Sequence, residues 1–382
     1  MKKLISLVLI IALFTSLTAC GNNPVESTAP VESTAPAETA ASPETITVTD
    51  HAGNTVVLPR DIERIVVCDI LPLPSVLTVF FDSGDKIVGM SGNSMTAAKN
   101  GLLGQLYPEV LDAETGFIDG SNINLEELMK LQPDVVFYSA SRPEQGEQIC
   151  KAGLAAVGIS VNKWDYNTIE TLNNWIGLLS EMFPENDKSQ IVADYSEQVY
   201  AMVQKRVADI PEDEREQVLF LFQYSETNLL TSGKHFFGQF WADAIGVKNV
   251  AEELTTDNSV SVNMEQIYAW NPELVFITNF TTAQPDDLYN NTVGTYNWSV
   301  VDAVKNQRVY KMPLGMYRSY TPGVDTPVTL LWLAKTAYPD LFQDIDIIQE
   351  TKTYYQDVFG ITLTDAQAAS IFAPSAQAGS GF

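Results

Sequence analysis

The chain reads as an α/β protein of two similar lobes with parallel sheets, joined by a single long spanning helix, with a ligand cleft between the lobes. Three observations carry this. Short apolar runs alternate with helical stretches through most of the chain, as in parallel sheets covered by helices. One phrase occurs twice, 139 residues apart. Asn124-Leu125-Glu126-Glu127-Leu128 leads to Gln132-Pro133-Asp134-Val135-Val136-Phe137, and Asn263-Met264-Glu265-Gln266-Ile267 leads to Asn271-Pro272-Glu273-Leu274-Val275-Phe276. Between the halves, residues 187–209 contain neither glycine nor proline, and Ile191, Tyr195, Val199, Met202, Val203 and Val207 recur at helical spacing.

The elements follow in chain order. Lys2 and Lys3 precede an apolar run from Leu4 to Leu17, and Leu17-Thr18-Ala19-Cys20 closes it. A basic start, about 7–15 apolar residues and a small-residue exit describe a secretory signal. The cysteine after a small residue makes residues 1–20 resemble a bacterial lipoprotein signal, which implies lipidation at Cys20. Residues 21–44 are rich in Pro, Glu, Ser, Thr and Ala, with Pro-Val-Glu-Ser-Thr-Ala read twice, so this stretch is expected to be a disordered tether reaching at most about 70 Å.

Residues 45–180 are expected to form the first lobe, 181–210 the spanning helix, 211–345 the second lobe and 346–382 a C-terminal extension. Within the lobes, Arg64–Cys68 corresponds to Gln217–Phe222, and Gly84-Asp85-Lys86-Ile87-Val88 to Gly246-Val247-Lys248-Asn249-Val250. A rigid helix as the connection predicts a small hinge motion. Cys68 in an apolar strand and Cys150 on a helix read as two buried free thiols rather than a bridge.

Charge excludes one class of partner. With 22 basic and 48 acidic residues the net charge is −26, whereas nucleic-acid binding needs a basic surface. A secreted hydrolase has little to work with. Gly89-Met90-Ser91-Gly92-Asn93 lacks the last glycine of a nucleophile elbow, and there are only two histidines. His51 in the opening turn reads as a solvated residue.

Taken together, several phrases resemble the iron-chelate and cobalamin group of periplasmic binding proteins. They are Ile46-Thr47-Val48-Thr49-Asp50 with His51-Ala52-Gly53-Asn54, Glu63-Arg64-Ile65-Val66-Val67, the two repeats, Asn306-Gln307-Arg308-Val309-Tyr310, and Asp325-Thr326-Pro327-Val328 through Lys335. The resemblance covers residues 45–345. It implies the extracytoplasmic substrate-binding component of an ABC importer and not an enzyme. Such a component is expected as a monomer, lipid-anchored to the cell membrane, serving a permease and its ATPase. Siderophore-like iron chelates come first as cargo, haem or corrinoid behind, and a sensory lobe without transport remains an alternative. No intrinsic cofactor and no bare metal site is expected, because His, Cys and carboxylates do not cluster at metal-ligand spacing.

Loops leaving the carboxyl ends of parallel strands gather at one edge, where ligands bind. Two of the seven arginines fall in such loops, Arg142 in the first lobe and Arg318 in the second. A guanidinium fork suits carboxylates or chelate oxygens. Tyr138, Trp164, Tyr166, Tyr224, Phe280, Tyr317 and Tyr320 supply aromatic walls, and His235 could serve as an axial metal ligand. The resemblance also implies an acidic docking peg for the permease at a helix start in each lobe: Glu144 or Glu147, and Asp286 or Asp287.

Overall fold

A computed structural model describes residues 44–382. The signal, Cys20 and nearly all of the tether lie outside the described residues.

An antiparallel hairpin, Thr45–Thr49 with Thr55–Pro59, opens the fold. Its turn docks on the first lobe through Asp50, whose carboxylate accepts from the amides of Asn54 and Gly158, both at 2.8 Å. The first sheet is all parallel, in the order Ile87–Gly89, Ile65–Val67, Val135–Ser139, Ala156–Ile159. The second repeats it: Lys248–Asn249, Gln217–Tyr224, Leu274–Ile277 and Val309–Lys311 are parallel and in the same order. Leu229–Ser232 and Ser259–Ser261 extend its edge in antiparallel sense.

The repeated phrase folds the same way twice. Asn124 caps the helix Leu125–Lys130, and Asn263 caps Met264–Trp270 with a reciprocal box to Gln266. Gln132 and Asn271 then turn left-handed, with φ of 47° and 44°, before the proline that feeds each central strand.

The spanning helix is Ser189–Val207. Its buried stripe is Val192, Ser196, Val199, Val203 and Val207, so Ile191 faces outward and its neighbour takes the inner place. It packs on Thr168–Met182 of the first lobe and on Phe237–Ile245 and Thr326–Ala337 of the second.

A second bridge accompanies it, one the periodicity of the sequence does not reveal. Beyond the second lobe, Ile347–Tyr354, a π-helical turn Tyr355–Phe359 and the helix Asp365–Ile371 return to the first lobe. Tyr354, Tyr355, Phe359, Leu363 and Ile371 share one apolar core with Val67, Phe80, Phe137 and Ile176.

Two expectations need correction. Cys68 is fully buried, and burial pushes its thiol far above its ordinary range, but Cys150 is exposed. The helix Pro143–Lys151 turns Gln145, Gly146 and Ile149 inward, which leaves its neighbour Cys150 outside. His51 is not a solvated turn residue either. Its Nδ1 accepts from the Ser160 amide at 3.2 Å and Trp164 packs edge-on at 5.0 Å, while burial, and then Lys163, lowers its pKa to about 4.

Candidate functional site

The carboxyl ends of both sheets open onto one cleft, and the chain closes there around a cavity of about 190 Å³. The first lobe contributes Asp69, Leu71, Pro72 and Val161 from the loops after its strands. Phe222, Phe236, Phe280, Tyr317 and Thr321 come from the second. The walls are mostly apolar and aromatic, and Asp69 is the one charged residue among them. Asp69 Oδ2 meets Arg142 Nε at 2.8 Å, and Arg142 stands at the start of the helix Pro143–Lys151. Asp69 Oδ1 is buried without a partner. Burial raises the Asp69 pKa, and the Arg142 guanidinium opposes that rise.

The loop 314–320 forms the floor. Asp325, at the start of the helix Thr326–Ala337, accepts from the amides of Met316 and Tyr317 at 2.8 and 3.4 Å and from the Tyr355 hydroxyl. Burial raises its carboxyl to about 6, against those three donors. Gly315 lies against this carboxylate, and any side chain there would collide with it. A second buried charge holds the neighbouring loop. Lys311 Nζ donates to the carbonyls of Thr278, Thr281 and Ala283 at 2.9, 2.7 and 2.7 Å, and burial lowers its pKa to about 7.

The aromatic residues singled out from the sequence divide. Tyr317 and Phe280 line the cavity. Tyr166 sits at the seam between the lobes, edge-on to Phe236 and Phe237, its hydroxyl 3.2 Å from Asn258 Oδ1. Tyr320 lies beneath the cavity as core, with its hydroxyl accepting from the Gly238 amide at 3.0 Å. Tyr138, Trp164 and Tyr224 are turned away. Tyr138 meets Asn54 under the opening hairpin, Trp164 covers His51, and the Tyr224 hydroxyl accepts from Trp298 Nε1 at 2.9 Å. His235 lines a separate polar hollow with Asp165, Asp243 and Glu252, not this cavity. Arg318 is fully buried and faces the closing segment of the chain, with hydrogen bonds to the Ala378 and Asn93 carbonyls.

Asp69, Leu71 and Pro72 lie in a loop leaving a strand of the first sheet, where the sequence places ligand contacts in general, but nothing in the sequence singles out these side chains. Phe222 and Phe236 were missed, although Phe236-Phe237 after Lys234-His235 is an aromatic pair in a loop and could have signalled them.

Among the acidic candidates, Glu144 and Asp286 occupy equivalent places. Each follows a proline at the first position of a helix, Pro143–Lys151 or Pro285–Asn290, and each is exposed. Glu147 instead pairs with Lys151 at 3.0 Å, and Asp287 caps its own helix by accepting from the Gln284 amide at 2.8 Å.

The periplasmic binding protein model matches residues 82–314, from before the strand Ile87–Gly89 of the first sheet to just after Val309–Lys311 of the second, with the spanning helix between them. The chain belongs to the periplasmic binding protein family. It is an extracytoplasmic solute-binding protein of that family rather than an enzyme, and MolA, which shares its fold, is the cognate binding protein of a Haemophilus influenzae ABC transporter. The chain is similar to the molybdate-binding protein MolA of Haemophilus influenzae, with 25% identity over 346 residues, 84% of this chain and 93% of that one. A periplasmic solute binding protein from Veillonella parvula superposes with a TM-score of 0.76 at 29% identity, over 86% of this chain and 97% of the other. Helicobacter pylori CeuE in complex with Ni-His shares the fold, with a TM-score of 0.67 at 22% identity over 86% and 99%. Among the described residues, no helix of this binding protein is long and apolar enough to cross a membrane.

Proposed function

We propose that this binding protein captures a compact, anionic metal chelate of the ferric siderophore kind and delivers it to its permease. The observation that carries this is the cavity between the lobes. Aromatic and aliphatic walls suit the organic faces of a chelate, and Arg142, held next to the cavity by its pair with Asp69, would turn its free guanidinium nitrogens to chelate oxygens. The unpartnered Asp69 Oδ1 would accept from a hydroxyl or amide of the cargo. At about 190 Å³ the cavity is smaller than the roughly 300–1,000 Å³ of sites for drug-sized ligands, which favours a compact cargo over a haem or corrinoid macrocycle. The same size, and the relative that binds molybdate, support a second reading in which the cargo is a bare tetrahedral oxyanion.

The protein works in this reading as a monomer without a resident cofactor, held to the membrane by lipid on Cys20 and feeding a permease driven by its ATPase. Glu144 and Asp286 are the docking pegs. Labelling with a palmitate analogue checks the anchor, since a wild-type chain left unmarked would exclude it. Native mass spectrometry of protein purified from its own host, followed by fluorescence titration with ferric citrate, a ferric tris-catecholate, haem and molybdate, tests the cargo. A co-purified iron chelate and binding of the ferric probes are expected. Binding of haem alone would overturn the compact-chelate reading, and binding of molybdate alone would select the oxyanion.

A further inference from the structure

The closing segment of the chain lies in the cleft. After the helix Asp365–Ile371, whose last carbonyl accepts from the Leu314 amide at 2.8 Å, the chain makes a 3-10 turn at Ala376–Gly379. Ala378 and Gly379 are buried, and Gly379 passes so close to the Thr281 backbone that any side chain there would collide with it. Gly381 approaches Asn93 of the first lobe, and the Phe382 ring meets Phe280 of the second edge-on at 4.9 Å.

At the centre of this contact stands Arg318. Its Nε and Nη2 both donate to the Ala378 carbonyl, at 3.0 and 2.7 Å, and Nη1 donates to the Asn93 carbonyl at 3.1 Å and the Tyr317 hydroxyl at 2.9 Å. Phe280, Tyr317 and Phe382 surround the guanidinium at 5.3, 5.3 and 4.7 Å. Every one of these partners is neutral, and none of the ion pairs among the described residues includes Arg318. Lys311, the second buried cation of the cleft floor, is likewise hydrogen-bonded to carbonyls alone.

A buried cation is costly to strand, and carbonyl dipoles match its charge only in part. The fork that here straddles one carbonyl oxygen is shaped for two anionic oxygens, and charge-assisted bonds of that kind are about twice as strong as neutral ones. We propose that residues 375–382 are a built-in surrogate ligand, seated on Arg318 while the cleft is empty and displaced when anionic oxygens of the cargo take the guanidinium. This rests on reading the cleft as the site of an anionic chelate or oxyanion. It adds that Arg318 is the charge-matching contact of the second lobe, reached only by exchange, and that the same segment fastens the lobes together until cargo arrives.

Deletion of residues 375–382 tests the exchange. A segment covering the fork about nine-tenths of the time lowers apparent affinity about tenfold, so the truncated protein should bind ferric citrate or molybdate about tenfold more tightly than the full chain. Arg318→Lys in the truncated protein should remove most of that gain. Because truncation could disturb folding, hydrogen exchange on the intact chain gives a second measurement. The amides of Gln377, Ala378 and Ser380, now bonded within the segment, should exchange faster when the probe is added. Equal or weaker binding after truncation, or slower exchange in the loaded protein, would overturn the surrogate and make the segment a wall of the site. If neither form binds any ferric probe or oxyanion, the cargo reading itself falls and takes the surrogate with it.

Discussion

Asp325 shows how a single side chain sets the floor of the cleft. It takes two amides of the loop 314–320 and the Tyr355 hydroxyl, so it ties the second lobe, the cleft and the returning C-terminal bridge together. Burial still outweighs those donors and raises the carboxyl from 3.8 to about 6. The folded state therefore holds this proton more tightly than the unfolded chain does. The stability this contributes is complete below about pH 3.8 and is lost as pH rises through about 6, worth roughly 3 kcal/mol over the whole window. Asp325→Asn should remove that decline. Urea midpoints measured from pH 4 to 7 should fall more steeply for the wild type than for the variant, and parallel curves would refute the assignment. At this scale the sequence is least legible. Tyr224 ends its strand and Tyr138 is next to the end of its own, as cleft residues should be, yet both point away from the cleft. The strand Val135–Ser139 is buried on both faces down to Tyr138, so it carries no polar alternation to tell which face a side chain takes. Arg318 lies in the loop expected to face the cleft, but its burial against Ala378 is not legible in the sequence, because that contact spans 60 residues. Three buried hydrogen bonds and one part-buried one make it a stabilising contact of the empty protein.

Elements were read more faithfully than residues. The spanning helix expected over residues 181–210 is shorter, Ser189–Val207, because Met182 ends the preceding helix and Pro184–Asn186 make a 3-10 turn, while the two copies of the repeated phrase form matching capped helices and central strands. Both successes rest on local signals: apolar spacing, an asparagine cap, and a left-handed residue before proline. The return of residues 347–371 to the first lobe was not legible, since nothing in their own periodicity says which core they enter. That second bridge strengthens the expectation of a small hinge. The spanning helix has no glycine or proline at which to kink, and the added crossing packs Tyr354, Tyr355 and Phe359 into the first core. Small-angle scattering profiles of empty protein and protein saturated with its cargo should nearly superpose. A contraction typical of wide domain closure would show that both crossings yield.

At the scale of the whole molecule, two equivalent lobes present two equivalent acids. The strands Val135–Ser139 and Leu274–Ile277 hold the same place in their sheets, and each feeds a helix that opens with proline followed by an acid. Glu144 and Asp286 are exposed, and neither forms any of the ion pairs among the described residues. In a chain with net charge −26 an acid at a helix start is unremarkable alone, because it favours the helix dipole. Their pairing across the pseudo-symmetric fold is what suggests recognition by two basic sites of a permease. Replacing both by lysine should abolish stimulation of the transporter's ATP hydrolysis in proteoliposomes. Each single change should give a partial loss, as expected when two contacts contribute jointly to one avidity. Cargo affinity should stay within about twofold, because neither residue lines the cavity. Folding should lose no more than about 1 kcal/mol per site, the usual cost of a misplaced charge at a helix end. Asp287→Lys provides the contrast: it removes a helix cap, so it should lower stability by about 1 kcal/mol and leave docking nearly intact. Full stimulation by the double lysine variant would move the permease surface elsewhere on the lobes.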